Sequence, residues 1–223
     1  MSPVIFAAWA FLAGLTLTMS AQPSDKDVAQ ALEAVRISAT AGDVVAQFSL
    51  GALLYYGSAD MSQAIEWFGQ AAAQSFAPAE FQMGQLYDFG FGVGQDDATA
   101  LVWYRKAAEH GSAAALRAVG DCYRKGRGVA ADAAEAARWY RRGADGDDLR
   151  AQYELGQMYF TGTGVSRDYA SAYFWFSLAA SQTPLADNRD GLLELRNIAA
   201  ARMTPEEVAD AVRHVAAWKP DAR

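Results

Sequence analysis

The stretch Gly90-Phe-Gly-Val-Gly-Gln-Asp-Asp97 alternates three glycines with Phe91 and Val93 and ends in two acids. Glycines at that spacing could let backbone N–H groups wrap a phosphate, if the loop joined a strand to a helix N-terminus and brought a cation with it. Other residues able to do chemistry are sparse. The chain has two histidines, His110 and His214, and one cysteine, Cys122. A nucleophile elbow G-x-S-x-G, an H-E-x-x-H pair and a Walker A lysine are all missing from it. No nucleophile stands beside a base, so no catalytic residue is expected. A lone cysteine makes neither an internal disulfide nor a CxxC metal site, and no metal or cofactor is expected. The formal charge of -7 and a pI near 4.8 exclude the clustered surplus of Lys and Arg that nucleic-acid binding requires. With 223 residues, 52% of them apolar, the chain can bury a sizeable core.

The elements that position the glycines are periodic. Trp67, Trp103, Trp139 and Trp175 stand 36 residues apart. Seven residues before each is an Asp: Asp60, Asp96, Asp132 and Asp168. Ala64, Ala100, Ala136 and Ala172 stand three before, and Ala72, Ala108, Ala144 and Ala180 five after. The residue following each Trp is Phe68, Tyr104, Tyr140 or Phe176. Upstream, Gly51, Gly84, Gly120 and Gly156 follow Leu50, Met83, Val119 and Leu155. This period with small and aromatic columns predicts two helices per unit. The first runs in one copy from Ala79 to about Phe89, where Ala79, Met83, Leu86, Tyr87 and Gly90 follow the spacing of one helical face. The second begins at the Asp column, where the carboxylate accepts from free N–H groups of the first turn. Asp132 with Glu135 has the spacing of a capping box. The fold class is all-α, a solenoid of stacked antiparallel helix pairs.

Periodicity also reinterprets the glycine loop. Gly126-Arg-Gly128-Val129 and Gly162-Thr-Gly164-Val165 occupy the same place in their units, and Gly94 becomes Ala130 and Ser166. The loop follows a helix, and Asp96 already puts negative charge where an anion would sit. Gly90 and Gly92 are expected to supply backbone angles closed to other residues, with Val93 plugging the turn onto the core. His110 falls at the end of a second helix, where a cation complements the dipole. His214 falls on the polar side of the last helix. Cys122 shares a column with Leu53, Leu86 and Met158 and reads as a small buried hydrophobe.

One period before Ala46 a half-unit appears, with Asp27, Ala31, Ala39 and Gly42 in the expected columns and Ala34 in place of Trp. Residues 22–45 are therefore expected to form an N-terminal capping helix. Four repeats follow, at 46–78, 79–114, 115–150 and 151–183. Residues 184–223 are expected to hold a closing helix pair, whose second helix starts at Thr204-Pro-Glu-Glu207 and runs to about Trp218. Residues 1–21 read as a signal peptide. Val4 to Ala21 carries no charge and ends in Met19-Ser20-Ala21, which suits cleavage near Ala21 although no Lys or Arg precedes it. An uncleaved membrane anchor and a buried apolar helix are the other readings of that stretch.

The columns Ala79 to Val93 and Ala100 to Gly111 resemble the Sel1-like repeat, a relative of the tetratricopeptide repeat with a slightly longer unit. The likeness covers about 46–180. The first unit departs by a turn three residues shorter, and the third has Gly143 where the others have Ala. The resemblance implies a right-handed superhelix that binds a protein or peptide partner, without cofactor. It further implies a periplasmic or secreted adaptor or regulator in the bacterial cell envelope, or alternatively a protein anchored to the inner membrane. A structural scaffold of an envelope complex is the second reading. A hydrolase related to the cysteine-rich, β-lactam-associated branch is a weaker third, and one cysteine cannot staple its units.

On the first helices, the third, seventh and tenth columns vary from unit to unit and share one stripe. They read Phe48, Ala52, Tyr55; Phe81, Gln85, Asp88; Arg117, Asp121, Arg124; and Tyr153, Gln157, Phe160. First helices usually line the concave side of such arrays, which makes this stripe the candidate partner surface. Aromatic and Arg side chains are what interface hot spots favour. Packing between neighbouring units is the competing role for Phe48, Phe81 and Tyr153. A mutual ion-pair cluster is the competing role for the Arg117, Asp121 and Arg124 trio.

Overall fold

A computed structural model describes residues 25–57, 61–183 and 186–219. The apolar stretch at 1–21 and Asp60 lie outside them. The described residues form eleven helices and no strand. They divide into two compact units, one ending at Asp96 and one beginning at Asp97. The first unit holds α1 (Asp25–Thr40), α2 (Val44–Gly57), α3 (Met61–Ala73) and α4 (Ala77–Phe89). The second holds α5 (Asp97–Glu109), α6 (Ala113–Lys125), α7 (Ala133–Asp145), α8 (Leu149–Thr161), α9 (Tyr169–Gln182), α10 (Ala186–Ala200) and α11 (Pro205–Ala217). Within each unit every helix packs on the next in sequence up to α10, and α11 returns to pack on α9.

Two glycines per turn do different work. Gly90, Gly126 and Gly162 end α4, α6 and α8 in the left-handed conformation, with φ of 71°, 69° and 77°. Their N–H groups return to Leu86, Cys122 and Met158 carbonyls, satisfying acceptors that a helix end otherwise leaves open. The second glycines, Gly128 and Gly164, also have positive φ, and they sit on the start of the preceding second helix. A Cβ there would lie 2.3 Å from the Asp97 carbonyl oxygen and 2.2 Å from that of Ala133. The turn closes when the Asp column's N–H bonds back to the Tyr column. Asp96 reaches the Tyr87 carbonyl at 2.9 Å, Asp132 that of Tyr123 at 2.9 Å, and Asp168 that of Tyr159 at 3.0 Å. In the next helix Asp132 accepts from the Glu135 N–H, and Asp168 from those of Ala170 and Ser171. The Glu135 side chain does not complete a capping box. It accepts from Trp139 Nε1 at 2.9 Å and from Arg138.

The Gly column of the first helices is a seat for an aromatic ring. A Cβ on Gly51, Gly120 or Gly156 would lie 2.8 Å from ring carbons of Phe68, Tyr140 or Phe176 respectively. These rings, one residue after the Trp column, are the fully buried ones, at 1%, 0% and 0% exposure. Trp67, Trp103 and Trp139 stay half-buried, so the residue that marks the period in sequence is not the one that fills the core. On Trp103 and Trp139 the open ring faces take cations from the same helix. Lys106 Nζ lies 4.4 Å from the Trp103 centroid, and the Arg142 guanidinium lies 4.5 Å from that of Trp139. Trp175 differs because Val215 and Trp218 of the terminal segment cover its cluster, leaving it 2% exposed.

The remaining features follow the same economy. Cys122 is buried, at 2% exposure, and forms no disulfide. Val165 packs on the core cluster beneath its turn. Thr204 and Glu207 make both halves of a capping box at the start of α11. His110 follows α5 and is exposed, as is His214 on α11.

Seating a ring on bare backbone makes Gly120 sensitive to a single methyl. Gly120→Ala is expected to lower stability by about 1–3 kcal/mol through overpacking against Tyr140. Gly94, whose added Cβ would meet nothing within 4 Å, is expected to tolerate Ala within about 0.5 kcal/mol. Thermal unfolding followed by circular dichroism compares the two; equal melting temperatures would remove the seat from the account.

Candidate functional site

In the first unit the stripe is built around Phe68. Phe48 meets that ring at 5.6 Å and Phe76 edge-on at 5.5 Å, and Tyr55 lies 6.3 Å from it. Tyr55 also meets Tyr56 edge-on at 4.8 Å. Its hydroxyl is pushed above the ordinary tyrosine pKa, by burial first and by Tyr56 second. Phe48 and Tyr55 thus share an anchor while both remain half-buried, as do Ala52, Phe81 and Gln85. Asp88 is 7% exposed and offers little of itself to a partner.

In the second unit the structure brings Arg117, Asp121 and Arg124 together and adds three residues to them. Arg117 Nη1 donates to Asp121 Oδ2 at 2.9 Å, and Tyr140 donates its hydroxyl to Asp121 Oδ1 at 2.6 Å. Arg124 donates from Nε to the Tyr140 oxygen at 2.9 Å, while its Nη2 lies 3.5 Å from Asp121 and 3.8 Å from Glu154. Arg117 Nε lies 3.7 Å from Asp148 Oδ1, the carboxylate that caps α8. The group therefore ties α6 to α7 and to α8. Burial, and then the bond donated to Asp121, hold the Tyr140 phenol far above its usual pKa. Burial would lower Arg124, but its bond to Tyr140 and the Tyr140, Glu154 and Asp121 charges outweigh that and raise it. Burial likewise raises Asp148, opposed by the Ala151 N–H and Arg117. Every charge here lies within 4 Å of an opposite one, so the set is a fixed polar rim.

The rest of the stripe is partly shared. Gln157 Nε2 donates to the Tyr153 hydroxyl at 2.9 Å, and Tyr153 lies 6.3 Å from Phe176. Phe160 turns to Tyr169, edge-on at 5.6 Å. The described residues contain no cluster of His, Cys, Asp and Glu arranged to hold a metal ion.

The Sel1 repeat model matches four consecutive segments, 44–76, 77–112, 113–148 and 149–184. The chain belongs to the Sel1 repeat family. Among solved structures, it is similar to a Sel1 repeat protein from Oxalobacter formigenes, at 27% identity and a TM-score of 0.69 over 88% of each chain. It is also similar to a protective antigen of uropathogenic Escherichia coli with the same fold, at 29% identity and a TM-score of 0.73. That likeness covers 98% of this chain and 49% of the antigen, so the chain spans about half of that relative. The immunity protein Pa5087 of Pseudomonas aeruginosa shares the fold at 17% identity, with a TM-score of 0.52. No curated protein matches. Sel1 repeats generally mediate protein–protein interaction, and no catalytic family is indicated.

Three sets of contacts in this Sel1 chain escaped the sequence reading. Arg105 donates to the Tyr123 hydroxyl and Arg141 to that of Tyr159 at 2.6 Å, each guanidinium 5.6 Å from the ring it serves. Their signal was present, since both arginines stand two residues after Trp and both tyrosines three after Gly. Buried Gln47 and Gln152 donate from Nε2 to the Ala39 and Ala144 carbonyls, and their own Oε1 atoms accept from a second glutamine, Gln74 and Gln182 respectively. First helices also have caps: Asp43, Ser112 and Asp148 accept from Ala46, Ala115 and Ala151 N–H groups. Gly42, Ser75, Gly111 and Asp147 share a left-handed turn before α2, α4, α6 and α8, a recurrence hidden because only two of the four are glycine.

Asp121 is the hub of the rim. Asp121→Ala leaves the Tyr140 hydroxyl and two guanidinium groups without their acceptor and is expected to cost about 1–3 kcal/mol. Tyr140→Phe keeps the ring on Gly120 and is expected to cost about 1 kcal/mol. Urea unfolding of both single variants and the double variant should show a double-variant loss smaller than the sum. Strict additivity would mean that the two side chains do not share an interaction.

Proposed function

We propose that this Sel1 repeat chain is an exported protein-binding adaptor or regulator of the bacterial cell envelope, taking its partner on the stripe of the first helices. One observation carries this reading: the recurring columns are consumed by ring seats, turns and caps, whereas the stripe varies and stays partly open above a fixed base. Arg124, whose side chain is 36% exposed, is held by Tyr140, Asp121 and Glu154. A side chain held in one geometry loses less freedom on binding, which favours affinity. In the same unit the half-exposed Tyr153 and Phe160 add apolar area to these polar groups, the composition that interface centres favour. Export rests on the uncharged stretch from Val4 to Ala21 and the polar residues after it. Absence of a nucleophile with a base beside it supports a binder over a hydrolase.

A photo-activatable residue at Gln157 is expected to give one discrete adduct in cells, while the same residue at Gln70, exposed on α3, gives none. Adducts of equal yield from both positions, or from Gln70 alone, would refute the stripe. The chain recovered from the periplasm is expected to begin near Gln22 by intact mass; a full-length membrane-bound chain would overturn export with cleavage.

A further inference from the structure

Two clefts flank α11 in the second unit, and they differ in charge. The first, about 630 Å³, is lined by Phe174, Trp218, His214 and the carboxylates of Asp168, Glu207 and Asp210. Those carboxylates are already engaged. Asp168 caps α9, Glu207 closes the capping box of α11, and Asp210 pairs with Arg213. The second cleft, about 410 Å³, lies among α9, α10 and α11, with Tyr173, Leu193, Val212 and Val215 as its apolar lining. Its charged residues are Arg189 and Arg196, and no acid lines it.

The arginines stand on one face of α10 with Leu193 between them, at i, i+4 and i+7. Arg196 lies over the Tyr173 ring at 5.8 Å and donates to Asn197 Oδ1 at 2.9 and 3.2 Å. Neither arginine makes an ion pair among the described residues. Two guanidinium groups that form no ion pair among the described residues, beside one apolar cleft, are out of character for a chain of net charge -7. Val212, 48% exposed, leaves that apolar wall open to solvent.

We propose that this cleft docks an acidic, amphipathic peptide segment of a partner protein, with an apolar side chain against Tyr173, Leu193, Val212 and Val215 and carboxylates on Arg189 and Arg196. Charge complementarity selects that occupant, because the guanidinium fork takes a carboxylate through two parallel bonds. Geometry sets the spacing. Seven helical residues separate the arginines by about 10 Å along α10. Three residues of polyproline II chain cover about 9 Å and return to the same side. The favoured ligand therefore carries acids three positions apart with an apolar residue between them. This surface shares no residue with the first-helix stripe, so failure of one leaves the other standing.

The test uses the mature chain and a fluorescein-labelled peptide built on Glu-Leu-Pro-Glu, with Lys-Leu-Pro-Lys as its counterpart. Anisotropy is expected to show binding of the acidic peptide, weakened by salt, and no binding of the basic one. Arg189→Glu with Arg196→Glu is expected to raise the Kd at least about tenfold with circular dichroism unchanged. Val212→Asp, at an exposed position, is expected to weaken binding in the same direction, and decides the matter if the double variant misfolds. The proposal is overturned if the acidic peptide does not bind, if neither variant changes its Kd, or if the basic peptide binds equally. It is also overturned if the wild-type chain binds phosphatidylglycerol vesicles through these arginines and ignores the peptide.

Discussion

An aromatic ring resting on a helix backbone that has no Cβ is the contact on which the rest of this chain is arranged. Phe68 on Gly51, Tyr140 on Gly120 and Phe176 on Gly156 bring two helices closer than any larger residue would allow. That approach explains why Ala dominates the neighbouring columns, with Ala64, Ala136 and Ala172 almost wholly buried. A close-packed interior has no slack for an added methyl, so ring and glycine have to recur together. Turn geometry then follows. If the helices touch, the chain must reverse within a few residues, and the left-handed glycines with the bond from the Asp N–H to the Tyr carbonyl let it do so.

Tyr140 connects this packing to the surface. Its ring fills the seat on Gly120 while its hydroxyl reaches Asp121 and Arg124 at the rim. One side chain is therefore both core and polar surface, and the rim inherits the rigidity of the core. Phe68 and Phe176 hold the same position without a hydroxyl, and aromatic contacts occupy the stripe on α2 and α8.

The end of the array obeys different rules. α11 packs back on α9 and covers Trp175, whose counterparts remain half-exposed. That departure from the repeat geometry leaves clefts on both flanks of α11, one rimmed by acids engaged in caps or an ion pair and one by arginines that form no ion pair among the described residues. Repeating units bury their own polar groups in a regular way. α11 departs from that pattern, and the clefts on its flanks are surface that a partner can use.

Local chemistry and spacing were enough to read the helix pairs, the left-handed glycines, the Asp caps at Asp132 and Asp168 and the box at Thr204. Each depends on residues within one turn of each other or one period apart. The stripe could also be named, from Phe48 to Phe160, because side-chain direction on a helix follows from register. Which side chain meets which could not. Sequence marks Trp as the repeating large residue, yet packing buries its neighbour and turns Trp to the shoulder. Arg117 and Arg124 read in sequence as partner contacts or as an ion-pair cluster, and only the approach of Tyr140, Asp148 and Glu154 shows what holds them. The arginine-lined cleft requires three helices to meet, and nothing in the spacing of Arg189 and Arg196 says that Tyr173 and Val212 will stand opposite. Periodicity determines the unit because it is set by one helix turn at a time; the surfaces are decided by contacts between segments that the chain brings together only when folded.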